Sequence, residues 1–129
     1  MGILCAGRIW PLEPSPWFRD NLRSIPASNQ GTSLQFYGYG PRGIRRSDLD
    51  CTIFNRGDEV DAFRICYFLA KRAGSINTNV AEEGLAYFAE LVEEAKGNPG
   101  KYRAIDMLLN IIENNAIMIV KLDGIYMYR

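Results

Sequence analysis

The chain has 129 residues, 47% hydrophobic and 23% charged, enough to bury one core and too apolar for disorder. Fifteen basic and fifteen acidic residues leave no net charge, which argues against a dedicated nucleic-acid binder. There is no histidine, so Ser-His-Asp, Cys-His and His-ligated zinc chemistry are excluded.

The reading is a single domain over 1–129, with residues 1–31 forming an irregular N-terminal arm that contains a short helix. Cys5, Cys51 and Cys66 are odd in number, lack CxxC spacing and sit among apolar neighbours. They read as reduced thiols, and the expected compartment is cytoplasmic. No run approaches the roughly 18 apolar residues of a membrane helix, and the start lacks the pattern of a signal peptide, so no membrane partner is expected. Charge is uneven: residues 1–56 hold seven arginines against four acids, and every basic side chain there is Arg, the residue best shaped for bidentate phosphate contact.

In chain order, Ile3–Trp10 reads as an edge strand or arm, and Ser15-Pro16 as the start of a short helix over Trp17–Arg23. Strands are expected near 33–37 and 49–55. Period two places Leu49, Cys51 and Ile53 on one face of the second strand, with Asp48 and Asp50 entering on the other. Helices follow over 58–73, with Asp58 as N-cap, over 80–96, with Asn79 as N-cap and Glu82 at capping-box spacing, and over 99–114. Strands near 117–121 and 125–128 flank Asp123-Gly124, a strong hairpin signal. The fold class is α+β: a small mixed or antiparallel sheet packed against three helices.

The stretch FYGYGPRGIRRSDLDCTIF, from Phe36 to Phe54, carries the chemistry. An apolar strand leads into a glycine-rich turn with arginines, and then into Asp48-Leu49-Asp50. Two carboxylates on one side of a strand are hard-oxygen donors suited to Mg²⁺, and glycines let a backbone come close to phosphate. Arg42, Arg45 and Arg46 read as phosphate contacts. The bland alternative is a polar turn before a strand.

Gly38-Tyr39-Gly40-Pro41-Arg42-Gly43 followed by Ser47-Asp48-Leu49-Asp50 resembles the motif of the nucleotidyltransferase superfamily, in particular its minimal type. The resemblance implies that Asp48 and Asp50 are catalytic and bind Mg²⁺ on a nucleoside triphosphate. It also implies that Gly38, Tyr39, Arg42, Gly43 and Ser47 surround the nucleotide, and that a nucleoside monophosphate passes to an acceptor hydroxyl. Tyr39 stands where the family has Ser or Gly. For the family's third acid the chain offers only Glu82, Glu83 and Asp123, the first and last already explained by a cap and a turn. The alternative from another class is a non-catalytic protein-interaction module, antitoxin- or inhibitor-like, using Tyr37, Tyr39, Tyr126 and Tyr128 on a partner protein or a second copy. A third reading stacks single-stranded nucleic acid on Phe36, Tyr37 and Tyr39; the zero net charge counts against it.

Overall fold

The structure, a computed structural model, describes residues 14–26 and 31–127. The Ile3–Trp10 strand or arm, Cys5 and Tyr128 lie outside those residues. Within them the chain is α+β, with a sheet of five antiparallel-paired strands: β1 (Ser33–Tyr39), β2 (Cys51–Phe54), β3 (Ser75–Ile76), β4 (Ile117–Leu122) and β5 (Ile125–Tyr126). The order is β2-β1-β4-β3, and β5 also pairs with β4. Strict alternation in β1 buries Leu34, Phe36 and Gly38 and leaves Gln35, Tyr37 and Tyr39 half-exposed. The register sets Leu34 beside Ile53, Phe36 beside Val120 and Gly38 beside Met118, so one face of the sheet floors the core. Each fully buried side chain of that size contributes about 1.5–3 kcal/mol.

Helices cover that face alone among the described elements. They are α1 (Phe18–Ser24), α2 (Val60–Ala73), α3 (Thr78–Phe88), α4 (Leu91–Gly97) and α5 (Arg103–Asn114). Phe63, Ile65 and Leu69 of α2 meet Ile105, Leu108 and Ile111 of α5 in one cluster with the sheet. Gly84 of α3 sits where a Cβ would stand 2.8 Å from Leu69 and 2.9 Å from Leu108, so the glycine lets the three helices close together.

Several expected boundaries are corrected. α2 starts at Val60, after a 3-10 turn over Gly57–Glu59, and Asp58 makes no side-chain cap. α3 starts at Thr78 because Asn77, rather than Asn79, accepts the Val80 N–H at 2.9 Å, and Glu82 faces solvent within the helix. α5 starts at Arg103 because Gly100, at φ 94, turns the chain and donates its N–H to Asp106. β1 runs on to Tyr39, β2 covers only Cys51–Phe54, and β3 is a two-residue strand formed by pairing with β4.

The outer edge of β2 is closed by side chains. Asn55 donates to Thr32 O, so the alternation of the ladder turns the backbone groups of Thr52 and Phe54 outward. Glu59 Oε1 accepts the Phe54 N–H at 3.1 Å, Arg103 donates to Thr52 O, and Arg103 Nε meets Glu59 Oε2 at 3.0 Å. One ion pair thus takes one donor, the Phe54 amide, and one acceptor, the Thr52 carbonyl, of those an additional strand would have used.

The expected helix over 80–96 is two helices, broken at Ala89 (φ 54, ψ −122). The break depends on α1. Asn21, 2% exposed, donates its side-chain amide to Tyr87 O at 3.0 Å and Ala86 O at 3.4 Å, carbonyls that a continuous helix would have used itself. Glu90 accepts the Phe18 N–H at 2.7 Å. Replacing Asn21 by Ala strands those buried carbonyls and is expected to cost about 2 kcal/mol. Urea unfolding of the variant measures it, and a difference within 0.5 kcal/mol (about the scatter of surface substitutions) would show that the break holds without α1.

Candidate functional site

The stretch 38–50 folds as a loop that crosses back over the end of β1. Gly40 donates to Ile44 O at 2.6 Å and Gly43 to Gly40 O at 3.1 Å, closing a tight turn in which Arg42 and Gly43 both have positive φ. The chain then returns: Arg46 N donates to Gly38 O at 2.8 Å. Asp48 does not enter a strand. It lies in a 3-10 turn over Ser47–Leu49, closed by Leu49 N to Arg46 O and Asp50 N to Ser47 O, and Asp50 follows as its C-cap. The expectation that both acids lead into a strand on one face is corrected by these i→i+3 bonds.

Each carboxylate is held by its own arginine. Arg46 grips Asp48 through Nε at 2.9 Å and Nη2 at 2.8 Å. Arg45 grips Asp50 through Nη1 at 2.8 Å and Nη2 at 2.7 Å, and Asp50 Oδ1 also accepts the Gly38 N–H at 2.8 Å. Arg46 holds the Asp48 carboxyl below its ordinary value; Arg45, opposed in part by burial and aided by the Gly38 amide, does the same for Asp50. Mg²⁺ demands freely arranged oxygen donors in octahedral geometry. Here each acid already accepts a two-point guanidinium contact, and no group of three His, Cys, Asp or Glu among the described residues could hold a metal. The donor set of this conformation does not fit the ion.

The other residues of the motif are near, in different roles. Gly38 is glycine because a Cβ would stand 2.7 Å from the Arg46 carbonyl oxygen and 2.9 Å from Leu49 Cβ. Arg42 and Ser47 are exposed on the loop. Tyr39 projects from the sheet, with the Arg45 guanidinium 5.3 Å from its ring centre. Asp123 spends its carboxylate on the Thr32 and Ser33 N–H groups and the Thr32 hydroxyl. Glu83 binds Arg72 and the Tyr87 hydroxyl. Burial pushes the Cys51 and Cys66 thiols up, away from nucleophilic thiolate.

What the loop does position is the face of the sheet that no described helix covers. Arg45 lies 5.6 Å from the Tyr37 ring as well as 5.3 Å from that of Tyr39; Lys121 of β4 lies 5.2 Å from Tyr37 and 4.6 Å from Tyr126. The result is an alternating row, Tyr39–Arg45–Tyr37–Lys121–Tyr126, across three strands. Lys121 escaped sequence reasoning, although period two in IMIVKL places Ile117, Ile119 and Lys121 together, opposite buried Met118 and Val120. A larger cleft of about 730 Å³ lies at the β2–α2 connection and the start of α5, lined by Phe54, Arg56, Glu59, Tyr102 and Arg103. It contains none of the expected site residues.

Two outcomes follow. Gly38→Ala forces the loop off the sheet and is expected to destabilise the protein by about 2 kcal/mol, read as a lower melting temperature; an unchanged value would show that the loop is not packed there. Asp50→Asn is expected to cost about 1 kcal/mol at pH 7. Because the folded-state value of Asp50 is depressed, its contribution is present above the ordinary carboxylate range near pH 4 and is lost as pH falls through the lower folded value. Urea unfolding at pH 7 and near pH 2 should therefore show the gap between wild type and variant closing in acid, and a constant gap would contradict the Arg45 contact.

No curated protein and no solved structure matches the chain. A family model described as "Uncharacterized protein conserved in bacteria (DUF2322)" matches residues 18–122, which include every described helix and the sheet up to the end of β4. The chain belongs to that family.

Proposed function

We propose that this protein is a non-catalytic interaction module that offers to a partner protein the sheet face that no described helix covers. The observation that carries the reading is the row Tyr39–Arg45–Tyr37–Lys121–Tyr126. Tyr and Arg are the residues on which interface energy concentrates, because they bring large contact area with few torsions to freeze. Arg45 is fixed by Asp50 and Gly38 O, so the row is ordered before any partner arrives, which lowers the entropy lost on binding. The state of the acids supports the same reading. Nucleotidyl transfer, implied by the resemblance of 38–50, requires each arginine pair to open before its carboxylate meets a cation.

The two readings separate in a thermal-shift titration. Mg-ATP and Mg-GTP at millimolar concentration should leave the melting temperature unchanged, and a rise abolished by Asp48→Asn and Asp50→Asn would replace this proposal with nucleotidyl transfer. A Tyr37→Ser/Tyr39→Ser double variant, folded by circular dichroism, should lose the proteins that the wild type retains on an affinity column. Equal retention by both would place the interface elsewhere.

A further inference from the structure

The row of tyrosines surrounds a shallow hollow of about 230 Å³, lined by Tyr37, Tyr39, Ile119, Lys121 and Tyr126. We infer that this hollow receives an acidic side chain, Asp or Glu, from an extended apolar segment of the partner, its carboxylate meeting the Lys121 ammonium. The inference rests on the interaction-module reading and specifies the chemistry of the partner.

Charge complementarity is the first argument. Arg45 on the same face is neutralised by Asp50, and Lys121 has no carboxylate within ion-pair distance among the described residues. The ammonium instead rests between the Tyr37 and Tyr126 rings, contacts that hold a cation in place without cancelling its charge. A partner carboxylate arriving there gains a charge-assisted hydrogen bond with no resident acid to displace.

Size is the second argument. Ligand sites for drug-sized molecules start near 300 Å³ and enclose most of the ligand, whereas this hollow is smaller and open to solvent. It suits one or two side chains laid across a sheet. Ile119 and the tyrosine rings would take the methylene stem of Glu or an apolar neighbour, while the ammonium takes the charge. Backbone pairing along β2 would have to displace Glu59 and Arg103, which already hold the Phe54 amide and the Thr52 carbonyl.

A random-peptide display on the full chain tests this. Peptides selected by the wild type, and lost by the Tyr37→Ser/Tyr39→Ser variant, should carry Asp or Glu beside apolar residues. A synthetic peptide of that consensus should bind Lys121→Met roughly tenfold more weakly, with an affinity that falls as salt rises. Selection repeated on Lys121→Glu should favour Lys and Arg instead. Selected peptides with no acidic preference, or bound equally by Lys121→Met, would overturn the assignment of the hollow while leaving the module reading in place. If no selected peptide depends on Tyr37 and Tyr39, the module reading itself fails. Lys121-dependent binding of an oligothymidine, measured by fluorescence anisotropy, would overturn the inference in favour of a single-stranded nucleic acid.

Discussion

The Asp50 carboxylate does work that a longer β2 would otherwise have done. The strand stops pairing with β1 at Cys51, one step short of Gly38, whose N–H would be left without an acceptor; Asp50 Oδ1 supplies it at 2.8 Å. The same carboxylate draws Arg45 down onto Gly38 O, so both backbone groups of Gly38 are satisfied by the crossing loop. Everything at this end of the sheet follows from that arrangement. The loop lies too close for any residue but glycine at 38, and Arg45 is delivered between two tyrosines that would otherwise stand apart on the strand. A buried N–H left unpaired costs more than a made bond contributes, which is why one acid can govern so much local geometry.

Those features written in local sequence were legible. The places of α2, α5, β1 and β4, and the Asp123-Gly124 hairpin, with both residues at positive φ, all follow from short-range patterns. The features that escaped are set by distant groups. Ala89 breaks a helix because Asn21, sixty-six residues from Tyr87, takes its carbonyl. β3 exists only because β4 is there to pair with it. The site is an instructive intermediate case. Two arginines and two aspartates lie within the six residues 45–50, and the sequence already showed them to be charge-neutral as a set. The sequence reading took the acids as metal donors and the arginines as phosphate contacts; the structure pairs Arg45 with Asp50 and Arg46 with Asp48.

The two faces of the sheet divide the labour cleanly. One carries Leu34, Phe36, Ile53, Met118 and Val120 into a core that five helices close. The other carries Gln35, Tyr37, Tyr39, Ile117, Ile119 and Lys121, a mixture of rings, branched chains and a cation unlike an ordinary solvated surface. Aromatic rings interleaved with cations tolerate water and still offer apolar area, so the face remains compatible with the free protein while keeping surface to bury.

The Glu59–Arg103 fork on β2 has a consequence for how this molecule can associate at all. A foreign strand approaching that margin finds the Phe54 amide and the Thr52 carbonyl answered already, and must evict a charged couple before pairing with them. An encounter at that margin is thereby diverted from main-chain zippering, which is indifferent to sequence, to recognition by side chains, which is not.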